Sequence, residues 1–162
     1  MENTKIRTLI PYAVADAALI AAACLIPALS HAAALPLYKL NPMLALLLAG
    51  MAVGKADWRN GLLLAVAMPL VSCLVAGMPT AGKMVCMVAE LATVAGLFGV
   101  LQKHWKTLPA VLVAAVAGKG VYYALKALIV APAVLVGTNW LLQAAVLLLW
   151  CGLFAMLCKK AK

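Results

Sequence analysis

Apolar residues fill this chain in six long blocks, and polar residues fall mostly between them. A hydrocarbon layer of about 30 Å takes about 20 apolar helical residues to cross. The blocks predict helical spans at 8–29, 41–53, 61–76, 84–101, 108–130 and 140–158, the second short enough to be tilted or partly re-entrant. Helix-breaking residues stand where the blocks end. Pro36 and Asn41-Pro42 bracket the first loop, and residues 55–61 make a tight polar turn. Residues 77–82, 102–106 and 132–139 form the remaining breaks. The predicted fold is an all-α integral membrane protein, a six-transmembrane-helix bundle forming a single membrane domain over residues 1–162. A basic N-terminus followed by an apolar run is also the pattern of a signal peptide. Here the run is too long for one and further spans follow, so it is expected to stay in the mature protein.

Composition sharpens this by exclusion. Of the 162 residues 68% are hydrophobic and 10% charged, and the mean hydropathy is +1.12. A soluble domain is about half apolar and about a quarter charged. A chain this short cannot hide so much apolar surface in its own core. That rules out a soluble enzyme, a disordered chain and a nucleic-acid module. The five cysteines (Cys24, Cys73, Cys86, Cys151, Cys158) form no CxxC pair and lie in apolar runs. They read as small packing residues rather than disulfides or zinc ligands. His31 and His104 have no ligand-spaced neighbours, so no metal and no cofactor are expected.

The formal charge of +9 reads first as topology. With the N-terminus cytoplasmic, the inside segments hold Lys5, Arg7, Lys55, Arg59, Lys103, Lys106, Lys159, Lys160 and Lys162, nine of 13 basic residues. The outside segments hold Lys39 and Lys83. Such a bias orients membrane proteins, so both termini are expected inside, N-in/C-in. Trp58, Trp105 and Trp140 fall at span ends, where interfacial aromatics gather.

Four ionisable residues remain within the apolar blocks: Asp16, Glu90, Lys119 and Lys126. A charge in lipid is costly, so such groups pair or line a polar cavity. At about 1.5 Å per residue, Glu90 lies about 10 Å below the outer end of span four. Lys126 and Lys119 lie about 6 Å and about 16 Å below the outer end of span five, and Asp16 about 12 Å from the inner end of span one. Lys119, Tyr122, Tyr123 and Lys126 share one stripe of one helix. The stripe should face the bundle interior, where two cations and two phenols suit a small solute that is partly aromatic or bears a carboxylate. The structural alternative is two ion pairs, Glu90–Lys126 and Asp16–Lys119. Near the outer face His31, Tyr38, Asn41, Lys83, Asn139, Trp140 and Gln143 could ring the mouth of a cavity, or serve as ordinary loop and cap residues.

Span one carries a different signal. Ala13, Ala17 and Ala21 recur at four-residue spacing as a smooth ridge on which another helix can approach closely. Gly50 and Gly54 repeat the spacing in span two. No HExxH, GxSxG or P-loop occurs, so neither an enzyme nor an ATPase is expected. No repeat at a fixed period supports an inverted-repeat transporter.

Six spans in about 160 residues with both termini inside resemble the S components of energy-coupling factor (ECF) transporters, the substrate-capturing membrane subunits for vitamins. Three stretches carry the resemblance: the ridge Ala13/Ala17/Ala21; Asn41-Pro42-Met43-Leu44-Ala45-Leu46-Leu47-Leu48-Ala49-Gly50; and Met68-Pro69-Leu70-Val71-Ser72 through Gly77-Met78-Pro79 to Lys83 and Glu90-Leu91. The resemblance implies a multi-pass protein of a prokaryotic cytoplasmic membrane. It implies docking of the alanine ridge onto a transmembrane T component driven by two cytoplasmic ATPases. It also implies a ligand held near the outer face, on Lys83, Glu90, Lys119, Tyr122, Tyr123, Lys126, Asn139 and Trp140. In that picture the lysines favour a carboxylate or phosphate, the tyrosines stack or hydrogen-bond, and Glu90 orients an amine or holds a lysine. Two other classes compete: a non-transporting scaffold of similar shape, and a solitary or ion-coupled small-solute carrier.

Overall fold

Six α-helices make up most of the computed structural model, which describes residues 2–32, 37–54, 56–129 and 139–160. They are α1 (Glu2–Ala32), α2 (Pro42–Val53), α3 (Trp58–Ala76), α4 (Ala81–Leu101), α5 (Thr107–Ile129) and α6 (Trp140–Lys160). A 3-10 segment, Leu37–Leu40, precedes α2, and no strand occurs among the described residues. Pro36, Lys55, residues 132–138 and Lys162 lie outside the described residues, as do the side chains of Lys5, Arg7, His31, Tyr38 and Lys160.

Each helix overlies one of the apolar blocks. The largest difference is at α1, which begins at Glu2 rather than at residue 8. Hydropathy marks where a helix leaves apolar surroundings; the helix itself continues through residues 2–7, which include no proline or glycine. Helices α3 to α6 are long and apolar enough to cross a membrane. α1 contains a shorter apolar stretch, Tyr12–Pro27, and α2 has 12 residues, about 18 Å.

Local chemistry sets the turns. Asn41 adopts a left-handed conformation at φ 50°, which asparagine tolerates better than most residues, and Pro42 then opens α2 where its missing N–H costs nothing. Asp57 caps α3 by accepting from the Arg59 N–H at 2.9 Å. Gly77, at φ 66°, ends α3. Inside α3, Pro69 is buried, and nearby Ser72 Oγ donates to the Met78 carbonyl at 2.8 Å and reaches the Ala23 carbonyl of α1 at 3.3 Å.

Around the bundle α1 packs on α3, α3 on α4, α4 on α5 and α5 on α6, while α2 fills the space between α1, α3 and α6. Gly61 faces Met51 and Ala95, Gly118 faces Val94, and Gly82 faces Ile129, so α2, α3, α4 and α5 alternate in direction. Asp16 meets Asn60, and Ala23 meets Ser72, so α1 and α3 run parallel. Cys151 Sγ lies 3.9 Å from the Val111 carbonyl, which sets the second half of α6 beside the first half of α5. One end of the bundle therefore gathers Arg59, Lys103, Lys106 and Lys159, and the other Lys39 and Lys83.

The core runs along the middle, through Leu44, Leu47 and Met51, Leu64 and Met68, Leu91 and Val94, and Val111. Phe98 and Phe154 close it edge to face at 5.3 Å. None of the five cysteines is in a disulfide; Cys86 and Cys151 are buried and the others half-buried, as packing residues would be. Gly50 belongs to this interior, between Leu19 and Leu64, and Gly54 caps α2. Leu74, Leu128 and Leu141, by contrast, point outward at 76%, 81% and 85% exposure. With the apolar outer faces of α3 to α6, they give the surface of a membrane protein.

Gly118 is a point of close approach between α4 and α5. A Cβ there would lie 2.6 Å from Val94 Cγ2 and 2.9 Å from the Glu90 carbonyl oxygen, whereas a Cβ on Gly120 meets nothing. Overpacking costs about 1–3 kcal/mol, and alanine gains up to about 1 kcal/mol over glycine inside a helix. Thermal unfolding in detergent should therefore show Gly118→Ala less stable than the parent and Gly120→Ala unchanged or more stable.

Candidate functional site

The polar stripe of α5 is real, and it turns away from the outer face of its helix. Gly120, Ala124 and Leu128 are exposed, while Lys119, Tyr122, Tyr123 and Lys126 are each half-buried. Spacings of three, four and seven residues stack these four on one side of a helix.

Lys119 Nζ lies 2.8 Å from Glu90 Oε1, the one ion pair among the described residues. Glu90 is 3% exposed, so its charge is sheltered from solvent and needs this partner. A second donor comes from outside α4 and α5: Asn41 Nδ2 reaches the same Oε1 at 3.5 Å. Gly118 makes the arrangement possible, because its missing side chain lets the α5 backbone close on the Glu90 carbonyl one residue before Lys119.

This pairing replaces both ion pairs weighed from the sequence. Glu90 takes Lys119 rather than Lys126, and Asp16 takes Asn60 Nδ2 at 3.0 Å rather than Lys119. The reason lies in α1. Because that helix starts early, Asp16 sits level with the third residue of α3, near one end of the bundle. Lys119 is twelve residues into α5, much nearer its middle.

Aromatic rings continue the cluster outward. Tyr122 and Tyr123 meet edge to face at 5.3 Å, and Tyr123 lies 4.7 Å from the Trp140 ring. Tyr122 sits between two ammonium groups, with Lys119 Nζ 5.1 Å and Lys126 Nζ 5.3 Å from its centroid. At these distances the ring faces attract the cations. Trp140 begins α6 and is half-exposed.

Two further predicted residues stand apart from the ion pair. Lys83 is exposed in the first turn of α4, beside the last turn of α5, as the contact of Gly82 with Ile129 shows. Asn139 turns its Oδ1 onto the Leu142 N–H at 3.1 Å and caps α6, which engages that oxygen locally. Gln143 Nε2 donates to the Lys39 carbonyl at 3.4 Å, and His104 lies exposed in the turn after α4.

Sequence reasoning missed three tethers. The first is Asn41 on Glu90, for which the signal was an asparagine directly before the proline that opens α2. The second is Asn60 on Asp16. The third is Trp150, whose indole Nε1 donates to the Leu40 carbonyl at 2.8 Å and ties the 3-10 segment to the middle of α6. Beside that tether is an apolar cleft of about 180 Å³, lined by Ile26, Leu40, Pro42, Ala45, Leu46 and Trp150. No group of three or more His, Cys, Asp or Glu that could hold a metal occurs among the described residues.

Ala13, Ala17 and Ala21 are all exposed, while Leu19, Ile20 and Ala23 turn to the core. The ridge therefore lies bare on the outside of α1.

A double-mutant cycle tests the ion pair. Glu90→Gln or Lys119→Gln alone leaves a buried charge without its partner and should cost about 3–5 kcal/mol in detergent unfolding. The double variant should cost much less than the sum; additive losses would show that the pair is not coupled. Comparison with known protein families, with curated proteins and with solved structures finds no match.

Proposed function

We propose that this chain is the high-affinity substrate-binding subunit of an ECF-type importer for a vitamin or related micronutrient. In this reading it is a six-span bundle of a prokaryotic cytoplasmic membrane, with both termini inside. It captures the solute at the outer face and delivers it inward with a transmembrane T component and two cytoplasmic ATPases. Lys83, Lys119, Tyr122, Tyr123, Lys126 and Trp140 line the ligand side with Glu90, and Asn139 holds the start of α6 beside them.

The observation that carries the reading is a division of surfaces. Charged and aromatic groups gather toward one end of the bundle, between α4, α5 and α6. The alanine ridge stands free on α1. A binding subunit that docks elsewhere needs both, on separate faces. The gathering of Arg59, Lys103, Lys106 and Lys159 at one end supports the orientation. One observation favours a non-transporting scaffold instead: Glu90 and Lys119 satisfy each other without a ligand.

Mass spectrometry of small molecules released from the purified protein tests the reading. A micronutrient bound in stoichiometric amount is expected; consistent absence of any ligand would favour the scaffold. Ala17→Trp should abolish uptake while leaving ligand binding intact, and normal uptake in that variant would remove the docking role. For orientation, Lys83→Cys and Lys103→Cys are compared in a chain without its native cysteines. An impermeant maleimide applied to intact cells should label only Lys83→Cys.

A further inference from the structure

The acids of this chain are few enough to account for one by one. There are four: Glu2, Asp16, Asp57 and Glu90. Glu2 starts α1, Asp16 bonds Asn60, and Asp57 caps α3. All three belong to the end of the bundle opposite Lys83. Only Glu90 serves the other half, and Lys119 already occupies it.

Lys126 is left with no carboxylate anywhere in the sequence to meet it. The residue is half-buried, and its ammonium rests 5.3 Å from the centre of the Tyr122 ring. The carbonyl end of α5 gives it a partial negative charge, but that is about half a unit at most. Two like charges add to the cost, because Lys83 and Lys119 are both close enough to repel it. Two cations held together beside an aromatic wall, with no anion supplied by the chain, are an unfinished charge arrangement.

We propose that Lys126, with Lys83 beside it, is the anion-binding pole of the site and takes a carboxylate or phosphate carried on a small flat-ring molecule. The ring lies along Tyr122, Tyr123 and Trp140, whose faces and edges accept such a surface. Lys119 and Glu90 form a neutral pair that fixes α4 against α5 and takes no ligand charge. The inference rests on the reading of this cluster as a ligand site, and it reassigns the ligand charge from both lysines of α5 to Lys126. A lipid headgroup phosphate offers the same chemistry as a soluble anion, so the test separates the two.

Benzoate and its neutral isostere benzamide serve as probes, followed by Trp140 emission in detergent with Trp140→Phe as the blank. Benzoate should bind at least tenfold more tightly than benzamide. Lys126→Gln should remove that gap and Lys126→Arg should keep it. No gap in the parent protein would overturn the proposal, as would a gap that survives Lys126→Gln. Nanodiscs of phosphatidylcholine, with and without phosphatidylglycerol, then decide the source. Competition by the anionic lipid identifies a headgroup site, and unchanged benzoate binding identifies a soluble anion; both uphold the pole. A benzoate site without co-purified micronutrient or ATPase-dependent uptake would defeat the importer and leave the pole standing. A co-purified ligand that is neutral or cationic would do the reverse.

Discussion

A carboxylate cannot sit alone in an apolar bundle, and much of this structure follows from how Glu90 is answered. The cost of sheltering a charge from water is repaid only by close, well-directed partners. Lys119 supplies the opposite charge at 2.8 Å, and Asn41 adds a donor from the segment that leads into α2. Three separate parts of the chain thereby converge on one oxygen. Their positions are mutually constrained: α4 and α5 must nearly touch, so residue 118 has no side chain, and the turn before α2 must reach inward, so Asn41 is left-handed.

That convergence organises the two halves of the molecule differently. The half that gathers Arg59, Lys103, Lys106 and Lys159 also holds the capping carboxylate of Asp57 and the Asp16–Asn60 bond. There charge is spread over turns, where water and headgroups can meet it. In the other half the chemistry is concentrated on one helix stripe and its neighbours. Tyr122 is the link, since its ring serves the cation that is paired and the cation that is not. The apolar cleft at Trp150 lies apart from this stripe, between α1, α2 and α6.

Much of this is legible in the amino-acid sequence alone. Block length and punctuation placed all six helices, because apolar runs and prolines, glycines and asparagines act locally. The inward turn of the α5 stripe was legible too, since helical periodicity alone puts Lys119, Tyr122, Tyr123 and Lys126 on one side. Partner choice was not. Depth estimates gave Lys119 and Lys126 comparable claims on Glu90, and the decision rested on the close approach at Gly118, a tertiary fact. Asp16 lies nearer the end of the bundle than its depth in the apolar block implies, because hydropathy locates the edge of that block and α1 runs beyond it. The tether from Trp150 to Leu40 joins residues 110 positions apart, and no local pattern encodes it.

The bare alanines of α1 have an entropic consequence. Long side chains at a contact lose up to about 2 kcal/mol each when they are frozen into one rotamer, whereas alanine has none to lose. A helix that settles on Ala13, Ala17 and Ala21 meets a surface that is already ordered and has no rearrangement to wait for. Contact there gains only the modest dispersion of methyl groups, yet gives up almost no disorder on this side. Such a surface suits an association that must form and come apart many times.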